Sequence, residues 1–242
     1  MTTTTPSTSR PRATKQHSRE EAFIREQLMA DALHLAELRA LAAEAPHRAH
    51  AETWRWIGEL SAADARERLT ALFPLGFASS APRGDTEGLL VGKLFNGPGA
   101  RVVNFSNAVG KRIGLGWRGK TFDAESGTGY NRITRATWLP MLLLTRGHRF
   151  RRIAGSSELQ GFGFDHEIGR SPYPPHPEVR AITYAKRAYR NPHRSPMMVR
   201  QTRDELVELV PGVYLGRVLL DHRNAWRHVG FFAVREPIVA GV

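Results

Sequence analysis

Four side chains in this sequence have the chemistry to move a proton beside an apolar ligand: Lys120, His228, Tyr130 and His166. A lysine amine becomes a base or nucleophile when desolvation lowers its pKa. Histidine titrates near neutrality, and a phenol donates a hydrogen bond where negative charge develops. Lys120 lies in Trp117-Arg118-Gly119-Lys120-Thr121-Phe122-Asp123, where strand alternation would put it on one face with Phe122. His228 alternates with Trp226, Gly230 and Phe232, and His166 with Phe162 and Phe164. Tyr130 and Asn131 follow a glycine-rich turn near the same rim. Asp123 is the carboxylate expected to orient the amine or the phenol. The expected ligand-binding set is therefore Trp117, Phe122, Asp123, Asn131, Phe162, Phe164, Trp226 and Phe232, joined by Tyr184 from a later strand. His228 also reads as a satisfied histidine near the end of its strand.

Other chemistries are poorly served. The chain has no cysteine, which removes disulfides, thiolate catalysis and cysteine-held metals. It has no His-Glu-x-x-His pattern, and His47 and His50 fall in an expected linker, so no metal site is expected. Gly155-Ser156-Ser157-Glu158 lacks the spacing of a nucleophile elbow. Gly114-Leu115-Gly116-Trp117-Arg118-Gly119 has the glycine spacing of a dinucleotide loop, but a turn-forming run follows it. That loop needs a helix N-terminus to aim amides at a pyrophosphate, so no cofactor is expected.

The net charge is +12 in 242 residues, and between Arg146 and Arg203 twelve Lys or Arg face four acids. This basic quarter fits an anionic ligand or an acidic carrier protein, although charge runs of this kind are usually solvated strand faces and loops. Nucleic acid is not expected, since neither interleaved aromatics nor a helix-turn-helix is visible. No stretch is long enough to span a bilayer as a helix, and the Thr-, Ser- and Pro-rich start lacks an apolar core, so a cytoplasmic protein is expected.

The elements that must position these residues follow from periodicity. Residues 1–18 read as a disordered tail. Arg19 to Ala45 reads as an amphipathic helix with Ile24, Leu28, Ala32, Leu35, Leu38 and Ala42 on one stripe, stopped by Pro46. With a second helix over Ala51 to Leu60, it forms a helical extension over 19–60 that covers the barrel or mediates self-association. A third helix is signalled by the Ser61-Ala62-Ala63-Asp64 cap, and residues 61–238 form the main domain. From Glu87 on, about ten short β-rich runs alternate with turn residues, which predicts a mainly β antiparallel barrel. Arg170 to Pro177, with four prolines, reads as a stiff surface loop, either a plain connector or a lid.

Several of these motifs resemble the GXWXG family with its C-terminal companion domain of unknown function. The resemblance rests on Thr86-Glu87-Gly88-Leu89-Leu90, Gly116-Trp117-Arg118-Gly119-Lys120-Thr121-Phe122, the strand Val179 to Ala185, Leu215-Gly216, and Gly230-Phe231-Phe232-Ala233-Val234-Arg235, spanning about residues 60 to 236. Met198-Val199-Arg200-Gln201 stands where the family has a tyrosine-aspartate pair. The resemblance implies a lipocalin-like barrel with an internal cavity and names no reaction. A shaped apolar cavity with one or two proton-handling groups suits a cofactor-free cyclase or isomerase acting on a polyketide- or lipid-like substrate. A non-catalytic carrier of lipid, pigment or haem needs the same cavity without proton-transfer geometry.

Overall fold

The computed structural model describes residues 11–78, 80–95, 116–145, 148–193 and 198–238. Three helices lead the chain: α1 (Pro11–Glu44), α2 (Pro46–Ala62) and α3 (Arg66–Leu72). A fourth, α4 (Trp138–Leu144), interrupts the strands. The strands are β1 (Gly84–Asp85), β2 (Glu87–Val91), β3 (Trp117–Asp123), β4 (Thr128–Thr134), β5 (Arg151–Arg152), β6 (Glu158–Arg170), β7 (Glu178–Thr183), β8 (Thr202–Val210), β9 (Val213–His222) and β10 (Ala225–Arg235). They form one antiparallel sheet in the order β1-β3-β4-β6-β7-β8-β9-β10-β2, with β5 pairing β6. The expected strand over 101–106 lies outside the described residues.

The two ends of this sheet, β1 and β2, are halves of a single segment separated by Thr86. Its first half pairs with β3 (Gly84 with Phe122, Asp85 with Thr121) and its second with β10 (Leu89 with Ala233, Val91 with Phe231). Thr86 continues the β3 side, since its N–H donates to Lys120 O and its hydroxyl accepts from Lys120 N–H. The sheet thus returns on itself and is nearly closed into a barrel. Two glycines make the seam possible. A Cβ on Gly119, whose φ is +141°, would lie 2.0 Å from Thr86 O, and one on Gly88 would lie 2.6 Å from the Trp117 ring. The β8–β9 hairpin turns at Pro211-Gly212, and β9–β10 turns through Arg223 and Asn224, both at positive φ.

Alternation along the strands builds two cores. One lies within the barrel and includes Phe122, Phe162, Phe164, Ile182, Tyr184, Leu206, Tyr214, Phe232 and Val234. The other lies outside the sheet, where Val91, Val179, Val207, Leu209, Leu215, Phe231 and Ala233 meet Leu35 and Leu38 of α1, Trp56, Ile57 and Leu60 of α2, and Leu69 and Leu72 of α3. The N-terminal helices do cover the barrel, but they also supply half of this second core. Helix α1 is already formed at Pro11, the first described residue, eight residues before the expected start at Arg19. Its middle turns carry exposed Phe23, Ile24, Met29 and Leu33, and its apolar packing on the barrel comes from Leu35 and Leu38. Ser61 is no helix cap. It lies within α2, and its hydroxyl accepts from Gly92 N–H and so ties α2 to the end of β2.

The loop between β6 and β7 is a fixed connector. Arg217 on β9 donates to Ser171 Oγ, Tyr173 O and Pro174 O, and Ser171 N–H donates to Pro177 O. Arg217 is held in turn by Glu205, at 2.8 Å and fully buried.

Candidate functional site

Lys120 points into the barrel and is 2% exposed. Its cross-strand neighbour on β4 is Asn131, so both side chains share the inner face. The amine uses all three donors: to Asn131 Oδ1 at 2.9 Å, Tyr184 Oη at 2.6 Å and Asp204 Oδ2 at 2.8 Å. Tyr184 donates to the same Asp204 oxygen at 2.6 Å, and Trp117 Nε1 donates to Asn131 Oδ1 at 2.9 Å. Asn131 Nδ2 completes the group by donating to Phe162 O. Strands β3, β4 and β8 and the residue after β7 thereby converge on one amine. Aromatic rings surround it, with centroids of Trp117, Phe164, Tyr184 and Phe232 between 5.2 and 5.6 Å from Nζ.

This environment displaces two proton affinities in opposite directions. Burial lowers the Lys120 pKa, and the Asp204 carboxylate works against that shift. Burial and the Asp204 charge push Tyr184 well above an ordinary phenol. The cluster as a whole is close to neutral, with one ammonium and one carboxylate in contact. Chemically it offers an amine, a phenol and a carboxylate within mutual hydrogen-bond reach in an apolar surround, the parts of a proton relay.

Lys120, Trp117, Asn131, Phe164, Tyr184 and Phe232, all expected in the site, are brought together, and Phe122 and Phe162 pack in the same core. The remaining expected residues lie elsewhere. Tyr130 pairs with Thr121, one step out of phase with Lys120 and Asn131, and therefore faces outward. Asp123 is exposed and caps the β3–β4 turn by accepting from Glu125 and Ser126 N–H, so it orients neither amine nor phenol. His166 is inside the barrel beside Phe122, but its ring is held between Asp123 O and Arg180. Burial and the Arg180 guanidinium lower its pKa.

His228 is displaced from the site by a bulge. The β9–β10 register shifts between His228 and Gly230, so the alternation that grouped His228 with Phe232 breaks. His228 packs instead on Phe231, Phe95 and Tyr173, with Nε2 3.1 Å from Gly230 O. Burial, with the nearby Arg217 charge, lowers its pKa to about 4. Trp226 is half-buried near the β9–β10 turn, at the far end of that strand from Phe232.

Sequence reasoning missed Asp204, the carboxylate that faces Lys120. The strand Thr202–Val210 carries Asp204, Leu206 and Glu208 at alternate positions, and a buried lysine requires such a partner. That requirement was the signal, and Asp123 drew it away by being nearer in sequence. Among the described residues no cluster of three or more His, Asp or Glu side chains is placed to hold a metal ion. No described helix is long and apolar enough to cross a membrane. No protein family, curated protein or solved structure matches the chain.

Proposed function

We propose that the barrel interior binds a hydrophobic small molecule and that Lys120, Tyr184 and Asp204 transfer a proton on it, as a cofactor-free isomerase or cyclase. The observation that carries this reading is the shared contact of amine and phenol on a single carboxylate oxygen inside an aromatic surround. A group of this composition costs stability to bury. An apolar pair of similar volume would fill the same space, so retention of three polar groups is better explained by work on a ligand than by packing. The similarity of Gly116 to Phe122 to the GXWXG motif supports the same reading, because it implies a barrel built around a cavity.

Ligand carried through purification, identified by extraction and mass spectrometry, then supplied to the apo protein, tests the proposal. Conversion of that ligand, lost in Tyr184→Phe by about 10²-fold with binding retained, is the expected outcome. Tight binding with no conversion favours the carrier, which uses the same aromatic interior and only the hydrogen bonds of the cluster.

A further inference from the structure

The cluster restricts the chemical class of ligand. Lys120 already faces the Asp204 carboxylate at 2.8 Å, so this amine has no uncompensated charge with which to attract an anion. What it offers a neutral molecule is an amine nitrogen with a phenol at 2.6 Å and a carboxylate that contacts both. Hydrophobic rings on four sides favour an apolar ligand body. From this geometry we infer that Lys120 captures a hydrophobic aldehyde or ketone as an imine, with Asp204 and Tyr184 handling the protons. The inference rests on the interior-binding reading above and names its substrate class.

The step balances without any further reactant. Asp204 takes one proton from the ammonium, and the freed lone pair forms the C–N bond while the carbonyl π pair moves to oxygen. That oxygen receives a proton from the new ammonium centre through the Tyr184 hydroxyl, giving a neutral carbinolamine. Asp204 returns its proton to the carbinolamine hydroxyl, the C–O bond breaks and water leaves as the nitrogen lone pair closes the C=N bond. The product iminium has the same charge as the starting ammonium and faces the same carboxylate, so the buried pair is preserved. Burial, which lowers the Lys120 pKa, favours the first transfer.

Few lysines compete, because the chain has only Lys15, Lys93, Lys111, Lys120 and Lys186. Lys93 and Lys186 are exposed, with side chains 76% and 53% accessible. The test incubates the native protein with decanal and sodium cyanoborohydride near neutral pH, with peptide mapping of the reduced adduct. Decanol, which has no carbonyl, serves in parallel as a binding probe read by tryptophan fluorescence. The expected result is an adduct on Lys120 forming about tenfold or more faster than on Lys93 or Lys186, because the aromatic surround holds the alkyl chain at this amine and Tyr184 and Asp204 relay the protons. Excess decanol suppresses it, and Tyr184→Phe slows it by about tenfold. Decanol binding with adducts confined to Lys93 and Lys186 overturns the imine and leaves interior binding standing. Absence of both decanol binding and Lys120 labelling overturns the two together.

Discussion

Asp204 and Glu205 are consecutive on β8, both are buried, and they neutralise cations on opposite sides of the sheet: Asp204 meets Lys120 inside the barrel, and Glu205 meets Arg217 beneath the helices. The two pairs differ in what surrounds them. Glu205 also receives Arg203 and Ser171, so its group anchors a loop and is explained by the fold. The Lys120 group joins β3, β4 and β8 to Tyr184 just after β7, and it is the group that the proposed reaction uses.

Removing one partner from either pair leaves a buried charge uncompensated. Asp204→Leu or Lys120→Met alone should destabilise the protein by about 3 kcal/mol or more, whereas the two combined should cost much less than the sum of the single changes. Urea unfolding of the two single variants and the double variant measures this. Additive costs would show that the pair does not interact.

At the barrel seam, Gly119→Ala should destabilise by at least about 2 kcal/mol, because the added methyl meets Thr86 O and the backbone is left in a region that disfavours alanine. Gly155→Ala is the control. It too has positive φ, but nothing lies within 4 Å of its Cβ position. A thermal melt in which both variants shift equally would assign the cost to backbone conformation alone.

His228 gives the stability a pH dependence of defined sign. Its folded pKa is about 4, against 6.5 when unperturbed. The unfolded chain therefore binds a proton first as pH falls, and stability is lost between about pH 6.5 and 4. The loss approaches about 3 kcal/mol at the lower end, at 1.36 kcal/mol for each pH unit. The charged groups facing His228 are Arg217 and Arg66, which act in the same direction. His228→Phe should flatten the fall in midpoint over this range, and an unchanged slope would place its origin elsewhere.

Truncation to a chain starting at Ser61 should not yield a stable barrel. It removes Leu35, Leu38, Trp56, Ile57 and Leu60 from the outer core and bares Val207, Leu209, Leu215 and Phe231. Circular dichroism and light scattering of the truncated chain check this, with a monomeric β-rich spectrum as the contrary result.

Much of the fold was legible because turn residues and period-two alternation are local signals. In the sequence, Pro211-Gly212 is a tight-turn pair between two β-rich runs, and the strands it joins, β8 and β9, lie directly on either side of it. Glycines flanking Trp117 are a local signal of close approach between neighbouring strands, and Gly119 does pass against the Thr86 backbone. The site was legible only in part, because register and pairing are long-range. The bulge at His228 reversed its face, a half-period offset turned Tyr130 outward, and Asp204 lies 84 residues from the amine it holds. The helical stripe was read correctly at Leu35 and Leu38, yet periodicity alone could not show that the sheet's outer face is as apolar as its inner one.

The split segment at Thr86 also sets an order of assembly. Residues 87–91 find their partners only at 231–235, almost at the end of the chain. Closure therefore joins ends separated by nearly the whole sheet, and contacts so distant in sequence form slowly. During synthesis, Leu89, Leu90 and Val91 must wait for the last strand to emerge, while the β3–β4 and β8–β9 hairpins can form as they appear. The Lys120 amine is enclosed on that side only when this final joint is made. An unfinished barrel thus holds the Lys120 ammonium next to an open edge, and the last step of folding is also the step that takes this cluster out of water.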